Sequence, residues 1–130
     1  MGRIVTQVKI KNLLDQQYSI SCDALVDTGA AYLVLPKAWK TRLGKLTVVR
    51  EIECETATQE TVKGEVCGPV EITVEGFSPI YGEILFLDMN PENKIYEPLL
   101  GYIVLEQAQA GVDFLGHRLV HIKKTDLKKL

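Results

Sequence analysis

Three adjacent residues carry the clearest chemistry in this chain: Asp27, Thr28 and Gly29, within Ala24-Leu25-Val26-Asp27-Thr28-Gly29-Ala30. An apolar strand runs into the carboxylate and a tight turn follows. Apolar sequence resumes at Leu33-Val34-Leu35, and Pro36 closes it. The neighbours of Asp27 are strand residues that seek burial, so the carboxylate is expected on the floor of a recess. An unpaired charge there is costly. The backbone N–H groups of Thr28, Gly29 and Ala30 can converge on it, and Gly29 permits a turn that a Cβ would obstruct. Such a carboxylate can take a proton from water or, when protonated, polarise a carbonyl.

Other candidates are weaker. Asp113, His117 and His121 recur at four-residue steps, a metal-binding spacing on a helix. Gly116 and the strand-like Leu119-Val120 argue against a helix there, so exposed strand or loop histidines are expected and no metal is assigned. Cys22, Cys54 and Cys67 are odd in number and lack C-x-x-C spacing, which indicates neither a disulfide framework nor zinc. Cys22 lies on the core-facing parity of its strand and reads as a small buried residue. No G-x-S-x-G elbow for a serine hydrolase occurs.

The elements that must hold Asp27 are mostly strands. Ile4, Thr6, Val8 and Ile10 alternate with Arg3, Val5, Gln7 and Lys9, and Tyr18, Ile20, Cys22, Ala24 and Val26 mark one face of a second strand. The two form a hairpin that delivers Asp27. Ala31 to Leu35 is a short strand. Pro36 to Arg42 is one or two helical turns, with Pro36 at the first position and Gly44 as the stop. Leu46, Val48, Ile52 and Cys54 share a parity to which Arg50 is the exception. Val62 to Val66 returns, making a hairpin with a polar tip. Val70 to Val74 alternates, and Ile84-Leu85-Phe86-Leu87 reads as a strand buried on both faces. Asp88 to Glu97 is a loop. Leu99-Leu100-Gly101 is a short buried strand, and Tyr102 to Ala110 a short helix ended by Gly111. There Ile103, Val104 and Gln107 are spaced to cover the sheet. Val112 to Leu115 and Arg118 to Ile122 are final strands. The tally is a small, mostly β barrel or sandwich with one or two short helices.

The chain has 130 residues, 46% apolar and 25% charged, with a net charge of −2. That suits one domain, residues 1–122, followed by a Lys-rich tail, residues 123–130. It gives no bulk electrostatics for nucleic acid and no apolar run long enough to span a membrane. Met1-Gly2-Arg3 leads straight into an alternating segment, so no secretory leader is expected, and reduced cysteines point to a cytoplasmic protein.

Val26-Asp27-Thr28-Gly29-Ala30 resembles the Asp-Thr-Gly-Ala active-site motif of retropepsin-like aspartic peptidases. Pro98-Leu99-Leu100-Gly101-Tyr102-Ile103-Val104-Leu105-Glu106 resembles the family's second signature, two apolar residues and a glycine leading into a helix. The resemblance implies a small closed barrel of the acid-protease type and endopeptidase activity without a cofactor. Only one Asp-Thr-Gly is present, so the second carboxylate would come from another copy in a homodimer. By the resemblance Asp27 is catalytic, Thr28 bonds across the twofold axis, and Gly29 donates to the carboxylate. The hairpin from about Ile52 to Val66 is the flap. A peptide or protein substrate would lie between Ala30 below and Ala57, Thr58 and Gln59 at the glycine-free flap tip. Terminal strands Arg3 to Ile10 and Arg118 to Ile122 would support the dimer. The family's acidic residue after the motif and arginine after the second glycine are replaced by Ala31 and Tyr102. A second reading stays open, a non-catalytic retropepsin-fold binding or dimerisation module in which Asp27 is a structural turn.

Overall fold

A computed structural model describes residues 3–55, 59, 61–89 and 97–122. The proposed flap-tip residues Ala57 and Thr58, most of the Asp88 to Glu97 loop and the Lys-rich tail lie outside them. The strands are β1 (Val5–Asn12), β2 (Ser19–Val26), β3 (Leu33–Pro36), β4 (Thr47–Glu55), β5 (Thr61–Val74), β6 (Ile80–Leu87), β7 (Leu99–Leu100), β8 (Ala110–Asp113) and β9 (Arg118–His121). A 3-10 helix covers Lys37–Leu43, and helix α1 covers Tyr102–Gln107.

Seven strands form one sheet in the order β1-β2-β7-β3-β6-β5-β4. A further antiparallel pairing of β1 with β5, from Val8↔Val74 to Asn12↔Val70, closes six of them into a ring. Strand β4 hangs from β5 outside that ring. Strands β8 and β9 form a separate antiparallel pair. Because β1 is paired with both β2 and β5, it is already built into the ring rather than offered as a loose terminal strand.

Alternation explains most of the burial. Val8 and Ile10 of β1 and Ile20 and Ala24 of β2 point into the main core, where Phe86 fills the centre. The continuous apolar runs have a different cause. Leu33 and Leu35 of β3 enter the main core, whereas Val34 points the other way, into a second cluster with Val66 and Leu85. Strand β6 does the same with Ile84 and Phe86 on one side and Leu85 on the other. Both strands are covered on two faces, so no alternation survives.

Three sequence expectations need correction. The chain does not break at Cys67-Gly68-Pro69, where β5 runs through as 14 residues. Pro69, which has no N–H to donate, sits at a bulge between Cys67 and Val70, the place where a strand tolerates it. Helix α1 ends at Gln107, with Gln109 rather than Gly111 in the left-handed conformation (φ 56°). The helix buries Val104 and Leu105, and leaves Gln107 exposed.

Asn12 is the buried polar residue of the core. Its Nδ2 donates to the carbonyls of Leu43 (2.8 Å) and Lys45 (3.1 Å), and its Oδ1 accepts from the N–H groups of Leu14 and Asp15. It pins the end of β1 to the chain entering β4. Asn12→Ala strands two carbonyls and two N–H groups and is expected to cost about 2–3 kcal/mol in urea unfolding. Glu65 of β5 accepts from Lys40 (2.9 Å) and pairs with Lys37 (3.2 Å), tying the strand to the 3-10 helix. The Lys40 hydrogen bond holds the Glu65 carboxyl below its ordinary value. A depressed carboxyl contributes stability at neutral pH and loses it as the pH falls through its folded value. Glu65→Gln is therefore expected to cost about 0.5–1 kcal/mol at pH 7, and the two proteins to converge in unfolding midpoint well below pH 4.5.

Candidate active site

Asp27 follows the last residue of β2, and its backbone is fixed by β7. The Leu25 N–H donates to the Pro98 carbonyl (2.9 Å), and the Asp27 N–H donates to the Leu100 carbonyl (3.0 Å). The turn then folds back on itself. The Gly29 N–H donates to Asp27 Oδ1 (2.9 Å), while the Ala30 N–H goes to the Asp27 carbonyl (3.1 Å). Of the three N–H groups expected to converge on the carboxylate, this one does. Gly29 has no left-handed backbone angle; a Cβ there would instead stand 3.1 Å from Asp27 Oδ1. The residue keeps the carboxylate oxygen uncrowded.

The second signature holds this turn from beneath. The Tyr102 N–H donates to the Ala30 carbonyl (2.9 Å), and the Ile103 N–H to the Ala31 carbonyl (3.0 Å). Ala31 and Tyr102, the two departures noted in the sequence, are thus neighbours on segments tied by backbone bonds. Gly101 lies where the segments cross. A Cβ on it would sit 2.3 Å from the Tyr32 carbonyl oxygen and 2.6 Å from that of Ala30. Only glycine fits.

Asp27 is half-buried, and Thr28 and Gly29 are exposed. The recess is shallower than expected in a single chain, and the charge keeps contact with water. Asp27 and Thr28 border a cavity of about 400 Å³ with Arg3, Leu25, Val112 and Phe114. Phe114 is 56% exposed beside it. No second carboxylate lines this cavity among the described residues.

Ala30 is half-buried in the turn. Gln59 is exposed at the tip of the β4–β5 hairpin, which pairs from Thr47↔Gly68 to Glu55↔Thr61. Gln59 has a left-handed φ of 64°, a conformation that costs a non-glycine residue about 1 kcal/mol. It does at this tip what a glycine would do without strain. The second apolar cluster lies on the hairpin's inner face: Val34, Val66 and Leu85 are buried, with Tyr32, Ile52 and Leu99 packed against them. The sequence placed Val34, Leu85 and Leu99 in buried strands and Ile52 and Val66 in the hairpin, and did not single out Tyr32. For Val34, Leu85 and Leu99 the available signal was membership of strands apolar on both parities.

The remaining candidates have other tasks. Asp113 accepts from the N–H groups of Leu115 and Gly116 and from Arg118 Nε, closing the β8–β9 turn. His117 sits in that turn, and His121 of β9 stacks on Phe77 at 4.2 Å. Burial pushes the Cys22 thiol up to about 11, so it is protonated and unreactive at neutral pH.

No family model and no curated protein matches the chain. Solved structures do. EIAV protease, complexed with the inhibitor HBY-793, aligns over 81% of this chain and 86% of its own, with 25% identity and a TM-score of 0.56. The retroviral protease-like domain of Ddi1 from Leishmania major aligns over 95% of this chain and 91% of its own, with 16% identity and a TM-score of 0.59.

Gly101→Ala is expected to lower unfolding stability by about 3 kcal/mol or more, since backbone must shift. Gly82→Ala is the control: its nearest neighbour would be Gln107 Oε1 at 3.7 Å, and its cost is expected to stay within about 1 kcal/mol.

Proposed function

This chain has the retropepsin-like fold, and on that premise we propose that it is an aspartic endopeptidase working as a homodimer. The observation that carries this reading is the posture of Asp27. One carboxylate oxygen is held by the Gly29 N–H, and the turn is fixed from below by Gly101 to Ile103. The side chain borders an open, partly apolar cavity. A structural turn aspartate would spend its carboxylate on the turn; here the group is braced and still reaches solvent.

A second copy brings a second Asp27. Two carboxylates in contact share one proton. The ionised one takes a proton from water as its oxygen attacks the peptide carbonyl carbon. The protonated one gives its proton to the carbonyl oxygen. The tetrahedral adduct then collapses: the C–N bond breaks, the leaving nitrogen takes the proton now held by the first carboxylate, and a hydroxyl of the adduct returns its proton to the second, which restores the pair. Thr28, exposed next to Asp27, is the residue that meets its own mate. The substrate is an extended peptide lying between the Ala30 turn and the β4–β5 hairpin, which acts as the flap, with Gln59 and its neighbours Ala57 and Thr58 at the tip. The cluster around Val34, Ile52, Leu85 and Leu99 favours apolar side chains. The proposed setting is the cytoplasm, in keeping with three unpaired cysteines.

The test is cleavage of a diverse peptide library, read by mass spectrometry from acidic to neutral pH. Wild type is expected to cleave, with a rate that peaks where the pair holds one proton and falls on either side. Asp27→Asn is expected to lose at least about 10³-fold with an unchanged circular dichroism spectrum. Cleavage retained by Asp27→Ala, or a chain that light scattering finds monomeric at every concentration, overturns the reading and leaves the binding module.

A further inference from the structure

Arg50 is the residue that broke the apolar parity of its strand, and nothing said so far about the site uses it. Strand β4 carries one extra residue between Val48 and Arg50 relative to β5. After this bulge Arg50 stands opposite Val66, in step with Ile52 and Cys54, which pack on the second apolar cluster. Instead of packing there, its guanidinium donates to the Tyr32 phenol oxygen and to Glu83 Oε1, the latter at 3.2 Å. Its Cζ lies 5.7 Å from the Tyr32 ring centre. Three elements meet at this point: the outer strand of the hairpin, the segment that crosses Gly101 on leaving the Asp27 turn, and β6.

The position of β4 needs such a tie. Strand β5 is anchored by β6 along Gly64–Ile72 and by the Lys40–Glu65 pair. Strand β4 is an edge strand whose sheet partner, among the described residues, is β5 alone. Beyond its β5 partners, β4 is held by Ile52 and Cys54 on the second cluster and by the Arg50 contacts. The Arg50 contacts tie it to the segment that carries Asp27 and to β6. They are also releasable. The side chains of Arg50 and Glu83 are 44% and 35% exposed, and half-exposed ion pairs add little net stability. Tyr32, Arg50 and Glu83 border an open cavity of about 350 Å³ with Ile103 and Gln107, which leaves room for the side chains to part.

We propose that Arg50, Tyr32 and Glu83 form a latch that sets where β4 stands over the apolar cluster, and that Arg50 is thereby a positioning residue for bound peptide. The latch stands on the geometry; the peptide-positioning role rests on the peptidase reading above.

Hydrogen exchange by mass spectrometry on the full chain tests the latch without reference to activity. In Arg50→Met, peptides covering residues 47–55 are expected to exchange about tenfold faster, with β1 and β2 unchanged. In Tyr32→Phe, which keeps the ring and the Glu83 pair, the increase is about threefold. Unchanged exchange in 47–55, or an equal rise throughout the chain, overturns the latch. On cleaved peptides Arg50→Met is expected to raise KM about tenfold with kcat within twofold. Faster exchange with KM unaltered overturns the positioning role. A wild type that cleaves nothing removes that role together with the peptidase reading, and exchange alone then decides the latch.

Discussion

Two stretches of backbone cross at Gly101 with no space for a Cβ between them. The rest of the site depends on that contact. It lets the Ala30 and Ala31 carbonyls accept the first N–H groups of α1, and it brings the Leu100 carbonyl to the Asp27 N–H. Asp27, Ala30 and Ala31 are thereby held by backbone groups some seventy positions away, without any side-chain interaction that could be satisfied elsewhere. The carboxylate is aimed by the least adaptable part of the molecule. Strand β7, only two residues long, is enough for this because it pairs with β2 on one side and β3 on the other.

The same crossing links the site to the hairpin. Tyr32, whose carbonyl touches the place a Gly101 Cβ would occupy, sends its phenol to Arg50 of β4. Beneath that contact lies the second apolar cluster, made by the outer faces of β3 and β6 and the inner face of the hairpin. Strands β3 and β6 are thus covered twice: one face sits in the main core, and the other packs under the hairpin in the second cluster. The bulge in β4 re-aims Arg50 at the edge of this cluster, a common use of a bulge near a functional site.

The electrostatics of the single chain are undemanding. Asp27 is half-exposed, and one backbone N–H donates to its carboxylate. A second copy placed over the cavity would change this, because water would leave and two carboxylates would compete for one proton. Under the proposed dimer, association and chemistry would be coupled.

The sequence by itself determined the local things. Alternation located β1, β2 and the β4–β5 hairpin, and the two motifs Asp27-Thr28-Gly29 and Leu99-Leu100-Gly101 pointed to the fold, since both rest on short-range pattern and residue size. It misjudged the Gly68-Pro69 stretch, where local breaker signals were overruled by a strand paired with three others. It also misplaced the helix end, because Gln109 takes the left-handed turn that Gly111 was expected to supply. Only the tertiary structure decided that Gly29 is needed for the space beside Oδ1, that Gly101 is needed for a backbone crossing, and that Arg50 belongs with Tyr32 and Glu83. The last two are contacts between segments 18 to about 70 residues apart, and no pattern along a chain encodes which distant segment will arrive. It takes the closed ring of strands to bring them together.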